Sequence, residues 1–171
     1  MSRTTIPSVI AILLVCSQAH ASDIRRVVTG LDANNKSTAM LDSRVTLKQV
    51  QPALGLANLW VTDTYPVGFS FKGDTTDKSV GISPPENGTQ FGVVEFPPLD
   101  PAGAVQPLWH RTRTVDYVVV MSGEIDLMLD DSVVHLKAGD TVIQQATNHA
   151  WVNRGKELCR LLFVLMDSKQ P

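Results

Sequence analysis

The segment from His110 to Asn153 constrains the fold of this chain more than any other part of the sequence. Runs rich in β-branched and apolar residues, such as DYVVVM and TVIQQ, alternate there with short turns that contain glycine or paired aspartates. This pattern predicts a series of short β-strands. Strands in this order bring His110 and His149 together only if they roll into a small barrel. The interior of such a barrel can hold one small ligand or one metal ion.

Alternate side chains of an extended chain point to the same face, so the parity of residue numbers predicts which side chains meet. Two sets of side chains share parity in this segment: His110, Thr112, Thr114 and Asp116 near its start, and His149, Trp151 and Asn153 at its end. If both faces point into the barrel, two imidazoles and one carboxylate converge. That donor set suits a divalent ion such as Fe, Mn, Ni or Zn. The alternative is a metal-free pocket in which Asp116 fixes a histidine tautomer or pairs with Arg111 or Arg113.

The same residues resemble the two sequence motifs of the cupin superfamily. In the first motif, His110 and Gly123 stand at family positions. Asp116 replaces the usual glutamate there, and Thr112 stands where a second histidine is usual. The second motif keeps three family positions and departs at two, with Gly139, His149 and Asn153 kept and with Gln144 and Ala146 in place of a proline and a glycine.

The resemblance implies an all-β fold, the cupin-type double-stranded β-helix or jelly-roll barrel, as in small single-domain cupins of bacterial and fungal secondary metabolism. It implies metal ligands at His110, Asp116 and His149, and substrate-binding roles for four neighbours: Thr112, Gln144, Trp151 and Asn153. The implied activity on a small organic molecule is that of a metal-dependent oxidoreductase of dioxygenase-like type, an isomerase or a decarboxylase. The alternative, which Thr112 favours, is a non-catalytic small-molecule-binding cupin with a degenerate metal site. Because cupins often pair through their sheets, a homodimer is also expected.

The N-terminal residues 1–21 have the features of a secretory signal peptide. Arg3 precedes an apolar run, and Ala19-His20-Ala21 matches a small-x-small cleavage site. We therefore expect a secreted or periplasmic protein that has no membrane contact after cleavage; the alternative is an uncleaved anchor. The remainder is predicted to form one domain, with N-terminal strands and a long loop in residues 22–90 and the barrel core with both motifs in residues 91–171. The loop, Lys72–Gln90, is interpreted either as a lid over the barrel or as a loop without a role.

Composition narrows the class of partner and the source of stability. The formal net charge is −2 with 19% charged residues and no basic face, which disfavours a nucleic acid partner. Cys159 is the only cysteine after the leader, so no disulfide can stabilise the domain and its thiol is expected to be buried and inert. The strand pattern places Leu59 and Val61 on one face, opposite Trp60. Ile125, Leu127 and Leu129 share the inner side of their strand, and Val134 and Leu136 face inward on the next, which leaves His135 on the outside.

Overall fold

The structure is a computed structural model, and it describes residues 23–51, 54–69, 73–76, 78, 81–99 and 106–169. The predicted signal peptide, residues 1–21, lies outside the described residues. The described part contains no helix, and thus none long and apolar enough to cross a membrane. Its eleven strands are β1 Asp23–Leu31, β2 Ser37–Thr46, β3 Lys48–Gln51, β4 Leu54–Thr62, β5 Thr89–Phe96, β6 Thr114–Ser122, β7 Glu124–Leu129, β8 Val133–Lys137, β9 Thr141–Gln145, β10 His149–Val152 and β11 Cys159–Asp167.

Two antiparallel sheets form the barrel. One has six strands in the order β3-β4-β5-β11-β6-β9, and the other has three in the order β10-β7-β8. A continuous apolar core joins residues of both sheets, among them Val120 and Leu161 from the larger sheet and Ile125 and Leu136 from the smaller. Sheets that share one core in this way form the predicted all-β jelly-roll barrel, so the fold prediction is confirmed.

The strand β7 shows how alternation positions this core. Ile125 and Leu127 are buried, as predicted, and Leu136 on β8 packs against them. Val134 lies on the predicted face, because it pairs with Leu127, but 41% of its surface stays exposed. β8 is an edge strand with a neighbour on one side only, which leaves the start of the strand less covered.

The N-terminal region forms more strand than the sequence predicts. Residues 22–90 were expected to hold strands and a long loop, and the first two strands are long: β1 covers nine residues and pairs with the ten-residue β2. The hairpin packs against the larger sheet in a second apolar cluster that contains Ala57, Leu59 and Val93. The sequence STAMLDSRVT of β2 has few apolar residues, so its strand conformation depends on pairing with β1 rather than on a hydrophobic pattern.

A buried arginine fixes the start of the long loop. Arg26 is 7% exposed, donates to the carbonyl oxygen of Leu59 over 2.9 Å and forms an ion pair with Asp74. Thr75 accepts a hydrogen bond from the backbone N–H of Val61 at 2.9 Å. These contacts tie residues 74–75 to the barrel, whereas Ile82, further along the loop, borders the internal cavity.

Candidate active site in the barrel cavity

The two predicted histidines lie directly opposite each other in the structure. Each backbone N–H donates to the other residue's carbonyl oxygen at 3.0 Å, which makes His110 and His149 an isolated antiparallel bridge. Paired residues of this kind project their side chains to the same side. The ring centroids are accordingly only 4.2 Å apart. The expected meeting of the two motifs in one barrel is therefore observed.

Backbone carbonyl groups define which nitrogen of each ring carries the proton. The Nδ1 atom of His110 lies 3.1 Å from the carbonyl oxygen of Leu108, and Nδ1 of His149 lies 3.1 Å from that of Thr147. A carbonyl oxygen only accepts, so in the neutral ring the proton is on Nδ1 and the lone pair is on Nε2. Both histidines thus keep a basic Nε2 nitrogen for other contacts.

Gln144 lies between His149 and Asp116. The register pairs Gln144 of β9 with Asp116 of β6, and the two side chains are 5% and 6% exposed. The amide nitrogen of Gln144 is 2.9 Å from Nδ1 and 3.1 Å from Nε2 of His149, and 3.3 Å from Oδ2 of Asp116. Its two hydrogens can therefore be donated to both neighbours, and this bridge fixes the relative position of the imidazole and the carboxylate.

Burial changes the acid–base properties of this group in opposite directions. Loss of solvation is the largest effect at both residues; it raises the pKa of Asp116 and lowers the pKa of His149. The imidazole is therefore held neutral, while the carboxyl group becomes easier to protonate. A neutral base and a weakened acid now lie on either side of one amide.

The other predicted binding residues differ in what they offer to a ligand. Thr112 is buried and its hydroxyl lies 2.7 Å from that of Thr114. Trp151 is half-buried, borders the cavity and stands edge-on to His149 with ring centroids 6.1 Å apart. Asn153 borders the cavity too, but both of its amide hydrogens are donated to backbone carbonyl groups, those of Phe96 and Glu157. Its substrate-binding role stays a prediction, and the contacts observed order the loop after β10.

These side chains line one end of a cavity of about 460 Å³ inside the barrel. This volume is in the range of small-molecule sites. Its wall is mostly aliphatic and aromatic, with contributions from Leu56, Val94, Phe163 and Trp151. Among the described residues that line it, none is lysine or arginine. Trp109, the residue before His110, is 42% exposed and is not part of the lining.

Gln90 is a cavity residue that the sequence reasoning missed. It is 2% exposed, and its amide nitrogen donates to Oδ1 of Asn58 at 2.9 Å. The sequence prediction began the strand at Phe91 and left Gln90 in the loop. The alternation of Gln90, Gly92 and Val94 on β5 was the signal that could have placed it on the inner face.

The predicted metal ligands do not fit a three-ligand site. Within the described ranges, no group of three or more histidine, cysteine, aspartate or glutamate side chains is arranged to hold a metal ion. Asp116 is one methylene shorter than the usual glutamate, and the amide of Gln144 contacts both its carboxylate and the imidazole of His149. A metal held by His110, Asp116 and His149 stays a prediction, and the contacts observed join Asp116 and His149 to Gln144.

Comparisons with known proteins agree with the fold. The family model described as Cupin domain matches residues 94–165. The phomopsin biosynthesis cluster protein C' of Diaporthe leptostromiformis is 37% identical over 64% of this chain and 59% of its own length. The cupin-domain-containing oxidoreductase srdD of Neurospora crassa is 30% identical over 86% of this chain and 76% of its own length. This chain spans 50 to 59% of the length of the first three curated relatives that it matches.

A solved structure supports the same architecture. A putative ethanolamine utilization protein q from Salmonella typhimurium superposes with a TM-score of 0.50 at 13% identity, over 86% of this chain and 99% of that chain. At this identity the likeness shows the fold alone. Together, the barrel, the paired motif histidines and the relatives show that the chain belongs to the cupin superfamily.

Proposed function

We propose that this cupin binds a small organic molecule in the barrel cavity and moves a proton on it, as an isomerase does. The observation that carries the proposal is the buried His149–Gln144–Asp116 group at the polar end of an otherwise apolar cavity. A base and an acid held at a fixed separation in a dry pocket are the parts that such chemistry needs.

His149 is the base in this mechanism. Because its ring is neutral, Nε2 can accept a proton from an acidic C–H or O–H group of a substrate that displaces the amide of Gln144. The raised pKa of Asp116 increases the fraction of molecules in which this residue is protonated, and in that form it supplies a proton to the other end of the resulting anion. One proton leaves and one arrives, so the substrate is isomerised, and both residues reset by proton exchange with water. The apolar walls limit water near the anion while it exists.

The names of the relatives support a second candidate, an oxidoreductase. Proton removal by His149 makes the substrate electron-rich, which is also the first requirement of an oxidation. Among the described lining residues, none can accept electrons, so the oxidant must come from outside the chain. With dioxygen, the substrate would lose two electrons and two protons and hydrogen peroxide would form. A third candidate, a cupin that binds a small molecule without catalysis, requires only the cavity and the polar side chains that line it.

Hydrogen–deuterium exchange tests the proton transfer directly. The probes are 2-tetralone, a neutral bicyclic ketone with acidic C–H groups, and its 6,7-dihydroxy derivative, followed by NMR in D₂O with the purified protein. We expect catalysed exchange of at least one probe, reduced about a hundredfold or more in His149→Gln. The matched control is His135→Gln, because His135 is half-exposed on the outer surface. Exchange that is unchanged in His149→Gln, or binding of both probes with no exchange, contradicts the catalytic proposal.

The same assay distinguishes the other candidates. Formation of hydrogen peroxide with consumption of dioxygen would identify the oxidoreductase. Exchange that is lost in EDTA and restored by Fe, Mn, Ni or Zn would return the function to a metal held by His110, Asp116 and His149. Exchange that persists in EDTA supports the acid–base mechanism.

Export and self-association also remain proposals. Export requires cleavage after Ala21, and sequencing of secreted protein should find Ser22 first; an intact leader in the soluble cytosolic fraction would contradict it. For a homodimer, the outer face of β6 and β9 presents Tyr117, Met121 and Ile143, which are 47%, 46% and 60% exposed. Light scattering should then report twice the mass of one chain, and Ile143→Glu should reduce it to one.

A further inference from the structure

Three buried oxygen atoms in the cavity have no hydrogen-bond donor. They are Oε1 of Gln90, Oδ1 of Asp116 and Oε1 of Gln144. Within the described residues they are the only buried side-chain oxygens without a partner, and all three line the same cavity. Buried polar atoms in native proteins are normally satisfied, so an unpaired acceptor on a side chain that lines a cavity is a position to which a ligand can donate when it binds.

The contacts of the two amides establish that their free atoms are oxygens. The nitrogen of Gln144 faces the carboxylate of Asp116, which can only accept when ionised, so the opposite atom is the carbonyl oxygen. The nitrogen of Gln90 donates to Oδ1 of Asn58, and this contact leaves the oxygen of Gln90 unpaired. The polar part of the cavity therefore contains acceptors that have no donor within the described residues.

The strand register places these acceptors in one row. Gln90 pairs with Leu165, Leu165 pairs with Asp116, and Asp116 pairs with Gln144 across β5, β11, β6 and β9. The backbones at Gln90 and Asp116 are roughly 10 Å apart, two strand spacings, with Leu165 between them. A flat apolar ring over Leu165 would direct substituents toward Gln90 on one side and Asp116 on the other.

The charge of the cavity wall completes the description of the ligand. Asp116 supplies negative charge, and no described lining residue is lysine or arginine. An organic acid would bring a second negative charge into an apolar pocket without a counter-ion, which is unfavourable. A neutral hydroxyl group, in contrast, donates to any of the open oxygens.

We infer that the cavity binds a neutral hydroxylated aromatic molecule with two or more O–H donors, and that Gln90 determines this specificity. The inference rests on the proposed function only in taking the cavity as the active site. Asp116 and Gln144 receive the hydroxyl nearest to His149, and Gln90 receives the one on the far side of the ring. A ligand that carries the same ring without O–H groups leaves these acceptors unsatisfied.

Calorimetric titration of the purified protein with three matched probes tests the inference. The probes are 4-hexylresorcinol, its dimethyl ether and 4-hexylbenzoate, which share the alkylated ring and differ in hydrogen-bond donors and charge. The resorcinol should bind at least about tenfold more tightly than the ether, the ratio that one retained hydrogen bond gives, and the benzoate should bind most weakly. In Gln90→Leu the advantage of the resorcinol over the ether should fall to about threefold or less, while the affinity for the ether is kept.

The matched control is Gln145→Leu, because Gln145 is the exposed neighbour of Gln144 on β9 and should not affect binding. An ether or benzoate that binds wild-type protein as tightly as the resorcinol, or the absence of binding by all three, overturns the ligand class. An unchanged preference in a folded Gln90→Leu protein overturns the role of Gln90. His149-dependent exchange on 2-tetralone would survive either result, whereas loss of that exchange with resorcinol binding intact would remove the proposed function alone.

Discussion

Two groups of side chains in this barrel each contain an aspartate and a histidine, but their surroundings differ. Inside the cavity, Asp116 and His149 are buried and separated by Gln144. On the outer surface, Asp126 contacts His135 directly at 2.8 Å and also forms an ion pair with Arg154. The outer group has a cation for its carboxylate, and the inner group has none among the described lining residues.

The difference is visible in the two carboxyl groups. Burial is the largest effect on both, and it raises the pKa of Asp116. At Asp126 burial is opposed by hydrogen bonds from His135 and Arg154, which together lower its pKa below the ordinary value. Where an arginine balances the charge of the carboxylate, the carboxylate and the histidine form a stabilising ion pair. Where no cation lies nearby, the same two residue types are candidates for catalysis.

The largest expected loss of stability comes from a change in β7, the strand that separates the cavity from the outer group. Leu127 on the inner face of β7 is 5% exposed, so Leu127→Ala should lower the free energy of unfolding by about 2–5 kcal/mol. Val134→Ala, at the paired but exposed position, should cost clearly less, about 1 kcal/mol or below. Urea denaturation measures both. Equal losses at the two positions would show that the inner face of this sheet is wrongly assigned.

Removing the outer ion pairs of Asp126 should cause an intermediate loss of stability. Asp126→Asn removes partly exposed charge pairs, and we expect a loss of about 0.5–1 kcal/mol at pH 7. Because the pKa of Asp126 is lowered in the folded protein, its contribution is complete above the unfolded value near 3.8 and is lost as pH falls through the folded pKa. Wild type and variant should thus converge in strong acid; a difference that persists there would exclude a charge effect.

Replacing the inner carboxylate, Asp116, should change stability least, and in the opposite direction to replacing Asp126. The raised pKa of Asp116 means that its ionised form opposes folding at pH 7. The penalty is complete above the folded pKa and disappears as pH falls below the unfolded value near 3.8. Asp116→Asn should therefore leave thermal stability at pH 7 unchanged or slightly raised while it abolishes exchange on 2-tetralone. A marked loss of stability would make Asp116 a structural residue like Asp126.

The barrel could be predicted from sequence because its inner strands are strongly patterned. The runs around Val118, Ile125 and Leu161 alternate or are continuously apolar, and the two motif histidines mark the ends of the site. The hairpin β1–β2 could not be predicted equally well, because β2 has little apolar alternation and depends on its partner strand.

The location of the site could be predicted from the sequence better than the contacts between its side chains. Parity places Asp116 and Gln144 on inner faces, but only the cross-strand register shows that Gln144 reaches His149 before Asp116 does. The same register brings Gln90 into one row with Asp116, a relation between distant strands that no local pattern contains. The sequence therefore identified the residue types of the site, whereas the contact of Gln144 with both His149 and Asp116 follows only from the strand register.

The isolated bridge between His110 and His149 also provides a reporter of occupancy. It joins the chain before β6 to β10 through only two hydrogen bonds, with no ladder beside them, so its amides can exchange with solvent by a small local opening. A molecule resting against both imidazole rings would hold this opening closed. The amide protons of these two residues should then both exchange more slowly, while those of the β7–β8 ladder keep their rates. Binding could thus be followed for a ligand that has no optical signal and undergoes no measurable reaction.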